Sequence, residues 1–303
     1  MLRHTLICQL DESNIKFRTT RVSSKPTRSQ IYDICLHNIN TIQKILDYCH
    51  SNDITSYRIP SNIFPLWTHP LYEHTCENII KELMPNMLAL KTHNIHLSCH
   101  PDQFILLNSL NQDVNDRSIK ELNKWGEISK IIPLKLLNIH VGGRQSSLEE
   151  HCNILVHNFN KLSKDTQSIL SLENDEKSYS FHDTLYIAGF VGAMVVPDFH
   201  HERCFQLRQG NTHEQATDNI MMYIGSILNS YKGRKSSPTF HISSPKHGWT
   251  DNFKDNCKHA DYIDVENDYP LVLHKFAETI DICLDVEAKA KNNAIHALYT
   301  QLF

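Results

Sequence analysis

The chain has 303 residues, 40% apolar and 21% charged. That length supports a large buried core, and the composition reads as globular and excludes a disordered class. The net charge of −4 with histidine neutral excludes a global basic footprint for nucleic acid. A local basic groove stays open, and bound divalent metals would add positive charge that a residue count omits.

No apolar run reaches the ~18 residues of a membrane span. The opening MLRHTLICQLDESNIKF has no secretion signal. The nine cysteines are scattered without CxxC pairs and read as reduced thiols. An intracellular protein, cytoplasmic or nuclear and not secreted, is expected. The abnormal count is the 20 histidines.

In chain order, the first predicted strand is Arg3–Gln9. A helix follows over Ser29–His50, capped by Ser29, with Ile31, Ile34, Cys35, Ile39, Ile42, Ile45 and Leu46 near a 3.6-residue period. Next come strand Thr55–Arg58, helix Leu71–Lys91, strand Ile95–Cys99, and helix Ile119–Lys130 with Asp116 as a cap. Strand Leu134–Ile139, helix Leu148–Leu162, strands Ile169–Leu172 and Ala193–Pro197, and helix Gln215–Leu228 continue the alternation. The polar, basic stretch Ser230–Pro238 reads as a loop. Strands Thr239–Ile242 and Ile282–Val286 and a helix over Ala288–Leu302 close the chain. Eight strands alternating with helices, without a glycine-rich dinucleotide fingerprint, predict a (β/α)8 TIM barrel. No Pro/Gly/Ser-rich linker divides it, so 1–303 is read as one domain.

Barrel strands deliver their C-terminal ends to one face, where such folds place their chemistry. The predicted ends carry Arg58 and then His69, His100 in SCHPDQF, His140 in NIHVGGR, Glu173 in SLENDEKS, and Asp198, His200 and His201 in PDFHH. His241 in FHISSP, His259 in KHADYID and Glu287 in DVEAKAK complete the series. Any one of these could be an ordinary hydrogen-bonded or ion-paired residue. The force lies in the succession. A mixed imidazole and carboxylate set suits Zn²⁺ or Mn²⁺ and not a thiolate site or an all-oxygen calcium cage. A central Glu173 could bridge two metals, the usual device for phosphodiester hydrolysis. His37, His50, His93, His157 and His296 fall on helical or flanking segments and are read as surface or packing residues.

The segments YRIPSNIFPLWTHP, SCHPDQFILLNS, NIHVGG, LENDEKSY, DFHH, FHISSP, HADYID and DVEAKAK, in this order, resemble the UV damage endonuclease family, from Arg18 to Lys291. The family is related to endonuclease IV. The resemblance implies a cluster of two to three divalent ions, manganese first, with zinc, magnesium or cobalt as alternatives. It implies incision of damaged double-stranded DNA immediately 5′ to cyclobutane dimers and 6-4 photoproducts, leaving a 3′-hydroxyl and a 5′-phosphate. Abasic sites are secondary substrates. The catalytic group would be His100, His140, Glu173, Asp198 and Glu287.

By motif, His100, His140 and Glu173 would hold one metal. Glu173, Asp198, His241 and Glu287 would hold a second, and His201 with His259 a third. His69 would lie in or beside the cluster. Gln103 and Phe104 match the segment that plugs the gap left by flipped bases, although Phe104 could instead be a core aromatic. No side-chain nucleophile is implied, and a monomer is expected.

Three positions depart from the family pattern. Leu6 stands where a probing tyrosine is usual, and could at most insert as an apolar wedge. Thr239 stands where a carboxylatable lysine is frequent, and Pro60 where a serine is common. Phosphate contacts are expected from Arg58, Arg144, Lys177, Arg234, Lys235 and Lys246, grouped on one face. Three other readings compete: a sugar isomerase or epimerase on the same barrel, an abasic-site endonuclease, and a catalytically silent damage-binding protein.

Overall fold

The computed structural model describes residues 1–11, 14–212 and 215–302. Eight parallel strands form the barrel: β1 Leu2–Ile7, β2 Ser56–Pro60, β3 His96–His100, β4 Leu134–His140, β5 Leu170–Glu173, β6 Met194–Val196, β7 Thr239–Ile242 and β8 Ile282–Val286. Their order in the sheet is β6-β5-β4-β3-β2-β1-β8-β7. Between β6 and β7 the barrel closes through one parallel bridge, Asp198 to His241, and the His241 N–H donates to the Pro197 carbonyl at 2.9 Å. The seam of the barrel therefore runs through two predicted site residues.

Strand side chains alternate between faces. One face carries Leu6, Tyr57, Ile59, Leu97, Cys99, Leu137, Ile139, Leu172, Phe240, Ile242, Leu284 and Val286, all buried under the helices. The other face points into the barrel and is unusually polar: Thr5, Ser56, Arg58, Ser98, Asn138, Ser171, Thr239, His241 and Asp285 are all buried. Register keeps like with like, as in Thr5 beside Ser56 and Asp285, Asn138 beside Ser171, and His140 beside Glu173. This interior chemistry hands the mouth its ligands.

Leu6 corrects an expectation. It pairs with Tyr57 on the helix-facing side and is fully buried, so it cannot reach DNA as a wedge. The long first helix, Arg28–Ser51, is capped by Thr27 in a capping box with Gln30, and not by Ser29. The helix Gln112–Ile128 is capped by Asn111, and not by Asp116, because its first turn is polar and hides from an apolar period. Gln215–Leu228 divides into Gln215–Met222 and Ile224–Ser230. Helices Lys164–Ile169, Phe181–Val191 and Phe199–Arg208 were not anticipated. Aromatic and β-branched residues in Phe181–Val191 mask its period, while Ser180 and Asp183 start it with a capping box. No described helix is long and apolar enough to cross a membrane. All nine cysteines are free.

Candidate metal centre

Six strand ends build the site. His100 ends β3, His140 ends β4 and Glu173 ends β5. Asp198 follows β6, His241 lies in β7 and Glu287 follows β8. Three overlapping groups each place one ligand atom per residue within 4.8 Å of the others: His100, His140 and Glu173; Glu173, Asp198 and His201; Asp198, His241 and Glu287. Glu173 and Asp198 each belong to two groups.

Glu173 is at the centre. Its Oε2 accepts from His100 Nε2 at 2.9 Å and from Asn138 Nδ2, and its Oε1 accepts from His241 Nδ1 at 3.0 Å. Burial alone would raise its pKa, but the His241 and His140 rings and the bonds from His100 and His241 hold it well below the usual carboxylate range. The His100 ring is oriented locally, with Nδ1 donating to the Pro101 carbonyl at 2.8 Å, which leaves Nε2 toward Glu173.

The Asp198-x-x-His201 spacing works through a helix cap. Asp198 Oδ1 accepts from the His201 N–H at 2.8 Å and starts Phe199–Arg208, which swings the His201 ring into the same pocket. His201 Nδ1 lies 3.5 Å from Glu173 Oε1 and 3.6 Å from Asp198 Oδ2. Burial disfavours the imidazolium, but Asp198, Glu173, Glu176 and Glu287 raise the His201 pKa to about 10. His241 is likewise raised well above its ordinary value, against its burial, chiefly by Glu173 and Asp285. Burial raises Asp198 and lowers His140 to about 4.

Two atoms test the fit to a cation. Asp198 Oδ2 and His140 Nδ1 are buried and find no hydrogen-bond partner among the described residues. Such orphans are costly unless something else satisfies them. A divalent ion would satisfy a carboxylate oxygen aimed into a pocket of imidazoles and acids. The donor set is all nitrogen and oxygen, which suits manganese or zinc.

Three residues behind the site, Asp285, Asn138 and Asn174, were not singled out by sequence, and His200, named there as a strand-end candidate, lies behind it with them. Asp285 Oδ2 lies 3.3 Å from His241 Nε2 and accepts its second N–H, leaving Nδ1 to face Glu173, Asp198 and Glu287. Asn138 holds Glu173 and is itself held by Ser171 Oγ at 2.8 Å. Asn174 donates to the Asp198 carbonyl at 3.0 Å and accepts its N–H at 2.8 Å. His200 is fully buried beside His201, with its ring 5.4 Å from Trp249 and 5.2 Å from His259. Asn138 and Asp285 each lie two residues before a strand-end ligand, on the same strand face. A polar residue at that offset was the available signal.

Other predicted residues fall outside the three groups. His69 sits in the loop after β2, where its Nδ1 accepts from the Leu71 N–H at 3.2 Å and its ring packs 5.9 Å from Tyr72; none of the three groups includes it. His259 is beside Glu287, with Nδ1 donating to the Glu287 carbonyl at 2.9 Å, but its ring is 6.4 Å from that of His201. Arg58 is buried beneath the mouth, donating to Glu287 Oε1 at 2.6 Å and Asp285 Oδ2 at 3.3 Å, so it is an internal counter-charge and not a surface phosphate contact. Burial opposes its charge, yet the two carboxylates raise its pKa. They in turn are lowered against their own burial, Asp285 first by His241 and Glu287 first by Arg58.

Arg234 and Lys235 precede β7 and so fall at the opposite end of the barrel. Arg234 there donates to the carbonyls of Ser168 and Gly192, ahead of β5 and β6. Phe104 is 71% exposed in the loop after β3, with Gln103 also exposed, which overturns the core-aromatic alternative. Arg144 and Lys177 line one cavity in the loops after β4 and β5, and Lys246 is exposed in the loop after β7. Gly142 is required in the loop that carries Arg144: its φ is +121°, and a Cβ would fall 2.2 Å from Asn108 Oδ1. The histidines set aside lie apart from the mouth: His50 stacks on His93 at 4.2 Å, and His296 bonds Tyr48 at 2.9 Å.

The model of the UV-endonuclease UvdE family matches residues 5–303. The chain belongs to that family. A UV DNA damage endonuclease of Bacillus cereus (strain G9842) is 30% identical over 288 residues, covering 93% of this chain and 86% of the relative. The crystal structure of SacUVDE superposes with a TM-score of 0.78 at 24% identity, covering 100% of this chain and 99% of that one. Endonuclease IV from Thermus thermophilus superposes with a TM-score of 0.54 at 10% identity, covering 86% of this chain and 95% of that one. These two structures share the fold. The UvdE assignment itself rests on the family match and the curated relative.

Proposed function

We propose that this UvdE-family chain is a metal-dependent DNA repair endonuclease that cuts damaged duplex DNA immediately 5′ to cyclobutane dimers and 6-4 photoproducts, leaving a 3′-hydroxyl and a 5′-phosphate. The observation that carries the reading is the chain of three ligand groups joined by Glu173 and Asp198. Residues shared between groups are what adjacent ions in one cluster need.

His100, His140 and Glu173 would hold one ion. Glu173, Asp198, His241 and Glu287 would hold another, and His201 with His259 a third, with manganese as the favoured metal. Bound ions would supply Lewis-acid stabilisation of the charge that develops on the phosphoryl oxygens. The protein's own groups fix that arrangement. Asp285 orients His241, Arg58 holds Glu287 and Asn138 holds Glu173. Preorganisation of this kind lowers the cost of assembling the charged site at the moment of reaction. No side chain has to act as nucleophile.

With Leu6 buried in the outer layer, lesion probing falls to Gln103 and Phe104 on the loop after β3. A flipped dinucleotide leaves unpaired bases that an amide can hydrogen-bond and a phenyl ring can stack upon. The missing probe at position 6 favours a second reading, an abasic-site endonuclease of the endonuclease IV kind. Nicking of two duplexes, one with an abasic site and one with a dimer, separates the two. The primary test is nicking of UV-irradiated plasmid by chelator-stripped protein. Added Mn²⁺ restores nicking and Glu173→Gln does not nick. Full activity of Glu173→Gln, or no restoration by any divalent ion, refutes the proposal. All proposed ligands come from one chain, so a monomer is expected to be active.

A further inference from the structure

We infer that the cavity between the loops after β4 and β5 and the end of helix Phe199–Arg208 seats a second backbone phosphate of the DNA, apart from the one at the metals. The inference rests on the nuclease reading and adds to it a site and a residue, Arg208. The cavity is about 570 Å³ and is lined by Arg144, Lys177, Ser178, Arg208 and Gln209. Its lining holds three cations and no carboxylate.

The cations are held in place. The Arg144 guanidinium lies 5.7 Å over the Tyr179 ring, and the Tyr179 hydroxyl is fixed by Asn108 Nδ2 at 2.9 Å. The Arg208 guanidinium lies 5.6 Å over the Phe253 ring, and its Nη1 donates to the Lys177 carbonyl at 3.0 Å. Arginines laid on aromatic rings lose less freedom on binding than free surface chains do. Planar guanidinium groups also match two phosphate oxygens at once.

Charge balance points to a phosphodiester. Arg144 has Asp183 at 3.3 Å and Lys177 has Glu176 at 2.8 Å. Arg208 has no carboxylate within 4 Å among the described residues, and the Asp175 carboxylate behind the loop accepts the backbone N–H groups of Lys177, Ser178 and Tyr179. A phosphodiester carries one negative charge. In a chain of net charge −4, such a concentration of cations stands out. Position fits as well. Arg144 follows the ligand His140 by four residues, and Lys177 follows Glu173 by four, so the cavity is built on loops at the ligand-bearing end of the barrel.

The test is binding of undamaged duplex DNA to chelator-treated protein across a salt series, which separates this site from catalysis. Arg208→Gln and Arg144→Gln are each expected to weaken binding about tenfold at low salt, the loss of one charge-assisted contact. Each also flattens the slope of log K against log salt by about one. Arg208→Lys keeps the slope and loses only part of the affinity. Lys44→Gln, on the exposed side of the first long helix, changes neither. Steep salt dependence in the unmodified protein with unchanged affinity and slope in both glutamine variants overturns the inference. Calorimetry with inorganic phosphate is the second arm. Phosphate binding lost in Arg208→Gln while duplex binding is unchanged would assign the cavity to a free anion, and also overturns it. Absence of duplex binding by the unmodified protein both without metal and with added Ca²⁺ would instead sink the nuclease reading.

Discussion

Asp285→Asn isolates the support behind the metals. Asp285 belongs to none of the three ligand groups; it lies 3.3 Å from His241 Nε2 and 3.3 Å from Arg58 Nη1, and all three side chains are buried. Asparagine keeps the shape and one acceptor oxygen but removes the charge. The bond that fixes the His241 tautomer falls from charge-assisted to neutral, roughly half its strength. Loss of such a supporting carboxylate lowers metal affinity about 10- to 100-fold, or about 1.4–2.7 kcal/mol. Arg58 keeps Glu287 at 2.6 Å, so the fold is expected to survive. The assay is nicking of UV-irradiated plasmid against Mn²⁺ concentration. Half-saturation moves up by that factor, and activity recovers substantially at saturating metal. An unchanged half-saturation point refutes the argument that Asp285 orients His241.

Glu173→Gln removes the residue shared by two ligand groups; nicking falls at least about a thousandfold while circular dichroism stays that of the folded barrel, and a smaller loss argues against a shared ligand. Phe104→Ala leaves stability within about 0.5 kcal/mol, because the ring is 71% exposed. It weakens binding to dimer-containing duplex by about 1–3 kcal/mol relative to undamaged duplex; equal weakening on both would remove the probing role. Leu6→Ala costs about 2–5 kcal/mol in chemical denaturation, as a core truncation does, and leaves lesion preference unchanged.

The pH dependence turns on His201, held up to about 10 in the metal-free fold, against an ordinary value of 6.5. Its contribution to metal-free stability is full below pH 6.5 and is lost as pH rises toward 10. Metal must displace that proton, so Mn²⁺ affinity rises over the same window and binding at about pH 7.5 releases protons. Calorimetry in buffers of different ionisation enthalpy measures the release, and none detected would contradict the assignment.

The barrel was legible because period-two strands and period-3.6 helices alternate along the whole chain, and because strand ends carry His100, His140, Glu173 and Glu287 in succession. Asp198 and His201 were legible as a pair, since a capping aspartate and the third residue after it share one end of a helix. Less was legible where burial reassigns a charge. Arg58 sits at a strand end as a phosphate contact would, yet two carboxylates draw it inward, and one of them, Asp285, carries no motif of its own. Arg234 and Lys235 fall on the far end of the barrel because a loop before a strand and a loop after one look alike in composition. Leu6 was ambiguous because a shift of one residue moves a strand side chain from the barrel interior to the helix layer, and only register decides. Phe104 could not be separated from a core aromatic until the loop after β3 was seen to carry it outward.

The proposed function requires the ligands gathered at the barrel mouth to direct cleavage beside a photoproduct. The most direct measurement is incision mapping on an end-labelled duplex with one defined cyclobutane dimer, using chelator-stripped protein with and without Mn²⁺. The expected result is a single metal-dependent cut at the phosphodiester immediately 5′ to the dimer, with a 3′-hydroxyl that a polymerase can extend. Cutting that persists without metal, or falls elsewhere on the duplex regardless of the dimer, would contradict it.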